Sequence, residues 1–164
     1  MRKINFWIFI LITLSFLSGC AGYKPIFASM NLEFQISNHL LEGNKPLGNK
    51  IYSKIYNISN LSKSDQNQKN LDVYINVKKD KKATSKNTSG KILEYKITLN
   101  TNIKIDDHIT KTNLLQKKYT FSSTYKVQAQ YSDTLQRENR SVENLINNTF
   151  QEFLIDLSDK IGTK

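Results

Sequence analysis

The chain of 164 residues holds one cysteine, two prolines, six glycines and two histidines, and each scarcity removes a class of answer. The single thiol, Cys20, makes no disulfide within the chain and no multi-cysteine metal site, so in an exported protein it pairs between chains, stays free or is modified. Six scattered glycines leave no glycine-rich loop to cradle a phosphate. His39 and His108 fall in separate expected loops, without HExxH-type spacing, and no serine stands in a Gly-x-Ser-x-Gly elbow. Asp106-Asp107-His108 is the one run of adjacent ligand types, but three consecutive residues of a turn rarely converge on one ion. We therefore expect no enzyme, no metal site and no non-covalent cofactor. Arginine is scarce as well, 3 Arg against 21 Lys. Bidentate phosphate recognition favours Arg, so nucleic acid is not the expected partner even though the formal net charge is +10. Long apolar runs are also missing. The stretch from Ile4 to Phe16 covers thirteen residues, short of the roughly 20 that a helix needs to cross about 30 Å of hydrocarbon.

That stretch has another use. Arg2 and Lys3 precede it and Leu17-Ser18-Gly19-Cys20 follows, which is the layout of a secretory signal: basic start, apolar centre, small residues at a cleavage point. A signal ending in Leu-Ser-Gly-Cys resembles that of a bacterial lipoprotein. The resemblance implies that residues 1–19 are removed and that Cys20 becomes the first mature residue, carrying a covalent lipid. Each buried methylene contributes about 0.8 kcal/mol, so two or more acyl chains hold firmly to a membrane. Loss of Arg2 and Lys3 with the signal takes the formal charge from +10 to +8, an excess suited to anionic headgroups or another acidic partner. Residues 20–29 read as a tether, because Gly22 and Pro25 discourage regular structure. Ala21 stands where, in the lipoproteins this signal resembles, an aspartate would hold the protein at the inner membrane, and so points to the outer membrane.

Residues 30–164 read as a single α+β domain, within a mature length of 145 residues that buries roughly 68–70 % of its unfolded surface. Met30, Leu32, Phe34 and Ile36 alternate with polar neighbours and predict a strand, followed by a polar connection from Ser37 to Lys45. Pro46 suits a helix first turn, and Leu47, Ile51 and Ile55 carry a short helix to about Asn57. A polar loop from Ser59 to Lys69 leads to a strand over Leu71–Lys78, then a lysine-rich loop from Lys79 to Gly90. The strongest alternation runs from Leu93 to Ile105, and after a turn over Asp106–Asn113 a last strand covers Leu115–Tyr125, with Tyr119, Phe121 and Tyr125 inward. A long helix from Ser132 or Asp133 to Ile161 carries an apolar stripe that includes Leu135, Val142, Leu145, Ile146, Phe153 and Leu157, and Gly162 stops it. The order β-α-β-β-β-α predicts a two-layer sandwich: a mostly antiparallel four-stranded sheet with both helices packed on one face.

The entry Cys20-Ala21-Gly22-Tyr23-Lys24-Pro25, this element order, and Tyr119-Thr120-Phe121-Ser122-Ser123-Thr124-Tyr125 running into an amphipathic helix resemble the LPS-assembly lipoprotein family (LptE), in its divergent alphaproteobacterial branch. The resemblance implies a plug in the lumen of a large outer-membrane β-barrel translocon, LptD, with lipopolysaccharide delivered to the outer leaflet and bound through basic residues. The protein would then be lipid-anchored at the outer membrane, facing the periplasm or within the barrel lumen. The candidate lipopolysaccharide site is Lys78, Lys79, Lys81, Lys82, Lys86 and Lys91, expected as point charges on a mobile hairpin loop. Arg137 and Arg140, one helical turn apart, are the candidates for contact with acidic barrel residues. Two blander readings stand beside these: the lysine run as a solvated turn guarding a sheet edge, and the chain as a free-standing envelope lipoprotein, an adaptor or auxiliary subunit of a lipid-export system.

Overall fold

A computed structural model of the chain describes residues 32–61 and 68–161. The signal, Cys20, Ala21, the tether, the expected strand start at Met30 and the stop at Gly162 lie outside them. The described elements are β1 (Phe34–Gly43), α1 (Lys45–Leu61), β2 (Lys69–Lys86), β3 (Ile92–Asp107), β4 (Asn113–Lys126) and α2 (Tyr131–Ile161). The strands form one sheet in the order β1-β2-β3-β4. β1 runs parallel to β2, with α1 as the crossover that a parallel pair needs, and β2-β3-β4 is an antiparallel meander.

The core follows from strict alternation on the inner strands. Leu71, Val73, Ile75 and Val77 of β2, and Ile97, Leu99, Ile103 and Ile105 of β3, are buried on one face. Against them pack Ile51 and Ile55 of α1, and Leu145, Ile146, Phe153, Leu154 and Leu157 of α2. Each such side chain contributes about 1.5–3 kcal/mol by leaving water. Polar bonds place both helices on this same face. Tyr119 of β4 donates to Asp156 of α2 at 2.7 Å, Tyr125 donates to Glu138 of α2 at 2.8 Å, and Glu143 of α2 pairs with Lys50 and Lys54 of α1 at 3.4 and 3.6 Å. The expected two-layer α+β arrangement is the one found. Among the described residues, no helix is long and apolar enough to cross a membrane.

Three boundaries differ most from the sequence expectation. β1 does not end at Ile36 but continues to Gly43. Its register against β2 steps from Ile36↔Leu71 to Asn38↔Asp72, so Ser37 is an extra residue. A bulge exchanges the two faces of a strand: Phe34 and Ile36 lie on the helix side before it, His39 and Leu41 after it. The alternation in the sequence therefore breaks in mid-strand and imitates a loop. His39 is accordingly a strand residue, its ring stacked on Tyr52 of α1 at 4.1 Å.

β2, the second case, continues through Lys86, and the expected loop from Lys79 shrinks to residues 87–91. The Asn87 side-chain oxygen accepts from the backbone N–H groups of Ser89 and Lys91, and Gly90 takes a positive φ of 79°. The third case is α1, which runs four residues past Asn57 to Leu61.

At the other end of α1, Gly43 turns the chain with φ 69°, and the Asn44 side-chain oxygen accepts from Leu47 N–H at 3.2 Å as the N-cap. Pro46 sits in the first turn as expected. α2 begins at Tyr131, one residue before the expected cap, with Asp133 in the first turn, where the helix dipole favours an acid. Leu135 is 42 % exposed rather than in the apolar stripe. The β4–α2 connection closes over Thr134 instead, whose hydroxyl accepts from Gln128 N–H at 2.8 Å.

Candidate ligand and partner surfaces

Alternation along β2 divides the six lysines of the expected hairpin site. Lys79 and Lys81 point to the helix side and meet Glu138 of α2, with Nζ–O distances of 3.2 and 2.6 Å. Lys81 also lies 4.3 Å from the centre of the Tyr95 ring. Burial pushes the Glu138 carboxyl up, but the hydrogen bonds from Lys81, Tyr125 and Lys79 outweigh it and hold the group at about 2. The Lys81 ammonium, disfavoured by burial, is held well above its ordinary range by Glu138. These two lysines clamp helix to sheet. Lys78 and Lys82 emerge on the opposite face, Lys86 ends β2 and Lys91 closes the turn, and none of these four ammonium groups has a partner among the described residues. The structure thus replaces a mobile lysine loop with a strand whose lysines serve two different faces.

The face away from the helices is polar across three strands. Register places Glu42, Asn76, Asn102 and Lys118 side by side in one row, and Lys78, Asn100 and Thr120 in the next. Asn76, Lys78, Asn100, Asn102 and Lys118 line a basin of about 470 Å³. A smaller basin of about 240 Å³ shares Asn76 and Asn102 and reaches Tyr74 and Lys104. Sequence reasoning missed Lys118 and Lys96 on this face. Their alternation assigned them outward, but only the pairing of β3 with β2 and β4 shows which lysines they join.

Arg137 and Arg140 line a groove of about 710 Å³ between α2 and the edge strand β4, together with Gln136, Lys126, Tyr125 and Glu94. Neither guanidinium has a partner among the described residues. The two share one surface, beside β4, the edge strand among the described residues.

A fourth feature was not anticipated. Asp72, buried on β2, accepts from Asn38 of β1 at 3.1 Å, and meets His108 Nδ1 at 2.7 Å and Lys111 Nζ at 3.0 Å from the β3–β4 turn. Burial raises its carboxyl, but the bonds from Lys111, His108 and Asn38 outweigh that and lower it. Asp106, directly opposite Asp72 on β3, is raised by burial and lowered further by Lys104 at 2.6 Å and by Asn113. Asp107 turns away to accept from the backbone of Ile109 and Thr110. The sequence neighbours Asp106, Asp107 and His108 thus serve three separate networks. Among the described residues, no group of three or more His, Cys, Asp or Glu side chains is gathered for a metal.

No protein-family model matches the sequence, and no curated protein does. Solved structures do match the fold. A protein from Caulobacter crescentus described as a lipoprotein superposes with TM-score 0.55 at 10 % identity, over 76 % of this chain and 88 % of its own. Lipoprotein B from Nitrosomonas europaea, uncharacterized, gives 0.55 at 14 % identity, over 75 % and 81 %. A minor lipoprotein from Acinetobacter baumannii gives 0.54 at 15 % identity, over 81 % and 98 %. The class that these likenesses define is a fold: a two-layer α+β domain that recurs in bacterial lipoproteins.

Proposed function

We propose that the chain is a non-enzymatic envelope lipoprotein, acylated on Cys20 and held at the outer membrane, that acts as plug and assembly partner of the β-barrel lipopolysaccharide translocon LptD. The observation that carries this reading is the joining of a lipoprotein signal at Cys20 to a fold shared with three lipoproteins. The character of the body agrees with it. A hydrated barrel lumen suits a rigid domain with a tightly packed core and an outward sheet face of Asn, Thr, Ser and Lys. The groove of Arg137 and Arg140 beside the edge strand β4 presents two guanidinium forks without partners among the described residues, suited to carboxylates of a barrel wall. Lipopolysaccharide, dense in phosphate, would meet Lys78, Lys82, Lys86 and Lys91, which have no partner among the described residues, while Lys79 and Lys81 stay with Glu138.

Mass spectrometry of the chain purified from outer membranes tests the anchor, and depletion of the barrel tests the partner. The expected result is an acylated Cys20, co-purification with the barrel, and loss of the chain from the envelope when the barrel is depleted. An unacylated chain free in the periplasm overturns the anchor. Unchanged envelope levels without the barrel overturn the plug and leave a free-standing adaptor.

A further inference from the structure

We infer that the β3–β4 turn is a second, protein-borne membrane contact, in which Ile109 at the apex enters the lipid surface to which the chain is tethered. The inference rests on the acylated Cys20 of the proposed function, and neither on the barrel nor on lipopolysaccharide.

Topology puts this turn beside the entry of the chain. The described residues begin at Leu32, and the Glu33 carbonyl accepts from Lys69 N–H at 3.4 Å, at the start of β2. Next to Lys69, the Asn70 carbonyl accepts from His108 N–H at 2.8 Å. The entry and the β3–β4 turn therefore share one end of the sheet. From Cys20 to that entry run the twelve residues Ala21 to Leu32, a reach of at most roughly 40 Å. The β2–β3 turn lies at the other end of β3, whose 16 residues span about 50 Å. An acylated Cys20 thus keeps the β3–β4 turn, and not the β2–β3 turn, close to lipid.

The turn has the build of a fixed tip. Ile109 is 75 % exposed, the most exposed leucine or isoleucine among the described residues. Single exposed apolar side chains are common, but this one stands on a turn held from several sides. The Asp107 carboxylate accepts from the N–H groups of Ile109 and Thr110 at 2.9 and 2.8 Å. Lys111 N–H donates to the Asp107 carbonyl, and Asp107 N–H to the Thr112 carbonyl, each at 2.9 Å. His108 and Lys111 tie the turn to buried Asp72. An apex already held in place loses little further freedom when it docks.

Charge at this end is balanced. A lipid surface disfavours charges that leave water without a partner. Asp72 meets Lys111 at 3.0 Å, Asp106 meets Lys104 at 2.6 Å, and Asp107 lies in the field of Lys69. With His108 neutral, these carboxylates and ammonium groups cancel. The contact is therefore apolar in kind and calls for no anionic lipid.

The test uses the acylated mature chain in phosphatidylcholine vesicles with brominated acyl chains. Trp7, the one tryptophan of the sequence, leaves with residues 1–19. Ile109→Trp and Thr88→Trp then each carry a single reporter, in the β3–β4 and β2–β3 turns respectively. Bromine should quench Ile109→Trp by about half or more and Thr88→Trp by less than about a tenth, because only groups sunk into the acyl boundary meet it. A second measurement keeps the native side chain. Spin-labelled lipid in nanodiscs should broaden the Ile109 and Thr110 amide signals of the wild type. Ile109→Ser, a change at an exposed side chain, should reduce that broadening about tenfold, following the preference of a buried aliphatic group for lipid. Equal quenching of both reporters, or broadening undiminished in Ile109→Ser, overturns the contact. So does quenching that appears only once phosphatidylglycerol is added. A wild-type chain that fails to float with the vesicles sinks the anchor and the contact together. One that floats with its tip unquenched sinks the contact and leaves the anchor standing.

Discussion

Glu138 holds the far end of the sheet to α2, and replacing it with glutamine measures how much that clamp contributes. The carboxylate accepts from Lys81, Lys79 and Tyr125 at 2.6, 3.2 and 2.8 Å. Its fall from the ordinary 4.5 to about 2 corresponds, at about 1.36 kcal/mol per pH unit, to roughly 3 kcal/mol of preference for the charged form. Lys79 and Lys81 are 30 % and 36 % exposed against 14 % for Glu138, so water screens part of this, and about 2 kcal/mol is the expected loss in Glu138→Gln. For a domain of this size that lowers Tm by roughly 6–8 °C at neutral pH.

The sign of the pH dependence follows from the depressed carboxyl. Its contribution is complete above about 4.5 and disappears as pH falls towards about 2. Wild type should therefore lose this part of its stability between those pH values, and Glu138→Gln should not. Thermal melts of both proteins at pH 7, 4 and 2.5 check the claim. Curves for wild type and variant that stay parallel down to pH 2.5 would refute it, because the clamp would then contribute nothing that depends on charge.

Gly43→Ala forces a side chain into a positive φ and drives its Cβ into the Val77 carbonyl oxygen, which also accepts from Asn44 N–H at 2.7 Å. A loss of about 3 kcal/mol in urea unfolding is expected, from backbone strain plus the displaced carbonyl. Thr101 is fully buried with its hydroxyl unpaired among the described residues, so Thr101→Val should stabilise by about 1 kcal/mol and raise Tm; a lower Tm would show that the hydroxyl has a partner. Asp72→Ala leaves Asn38, His108 and Lys111 without their shared acceptor and should cost about 2 kcal/mol, less than a fully buried pair because His108 and Lys111 are partly exposed. Amide exchange in the β3–β4 turn, around Lys111 with its φ of 57°, should rise most in that variant.

Wherever one periodicity persisted long enough, the sequence alone sufficed. β3 alternates without interruption from Leu93 to Ile105, and the stripe of α2 from Val142 to Ile161 recurs at three- and four-residue steps. The element order, the antiparallel meander and the layer assignment follow from those patterns, because an apolar face must be covered and short connections leave few ways to cover it. The expected signal before Cys20 rests on different ground: it is read as a local chemical message that needs no fold, and it lies outside the described residues.

What tertiary structure alone decided are the matters that depend on a partner strand or helix. The bulge at Ser37 is defined only by its register against β2, and without that register β1 reads as loop after Ile36. The lysines beyond Val77 resemble a solvated loop until β3 pairs with them and Glu138 sorts alternate ones to opposite faces. Asp72 looks like any outward strand residue until a turn distant in sequence closes over it. Periodicity records which face a residue belongs to, whereas register and long-range closure record which residues share that face, and the latter exist only once the chain is folded.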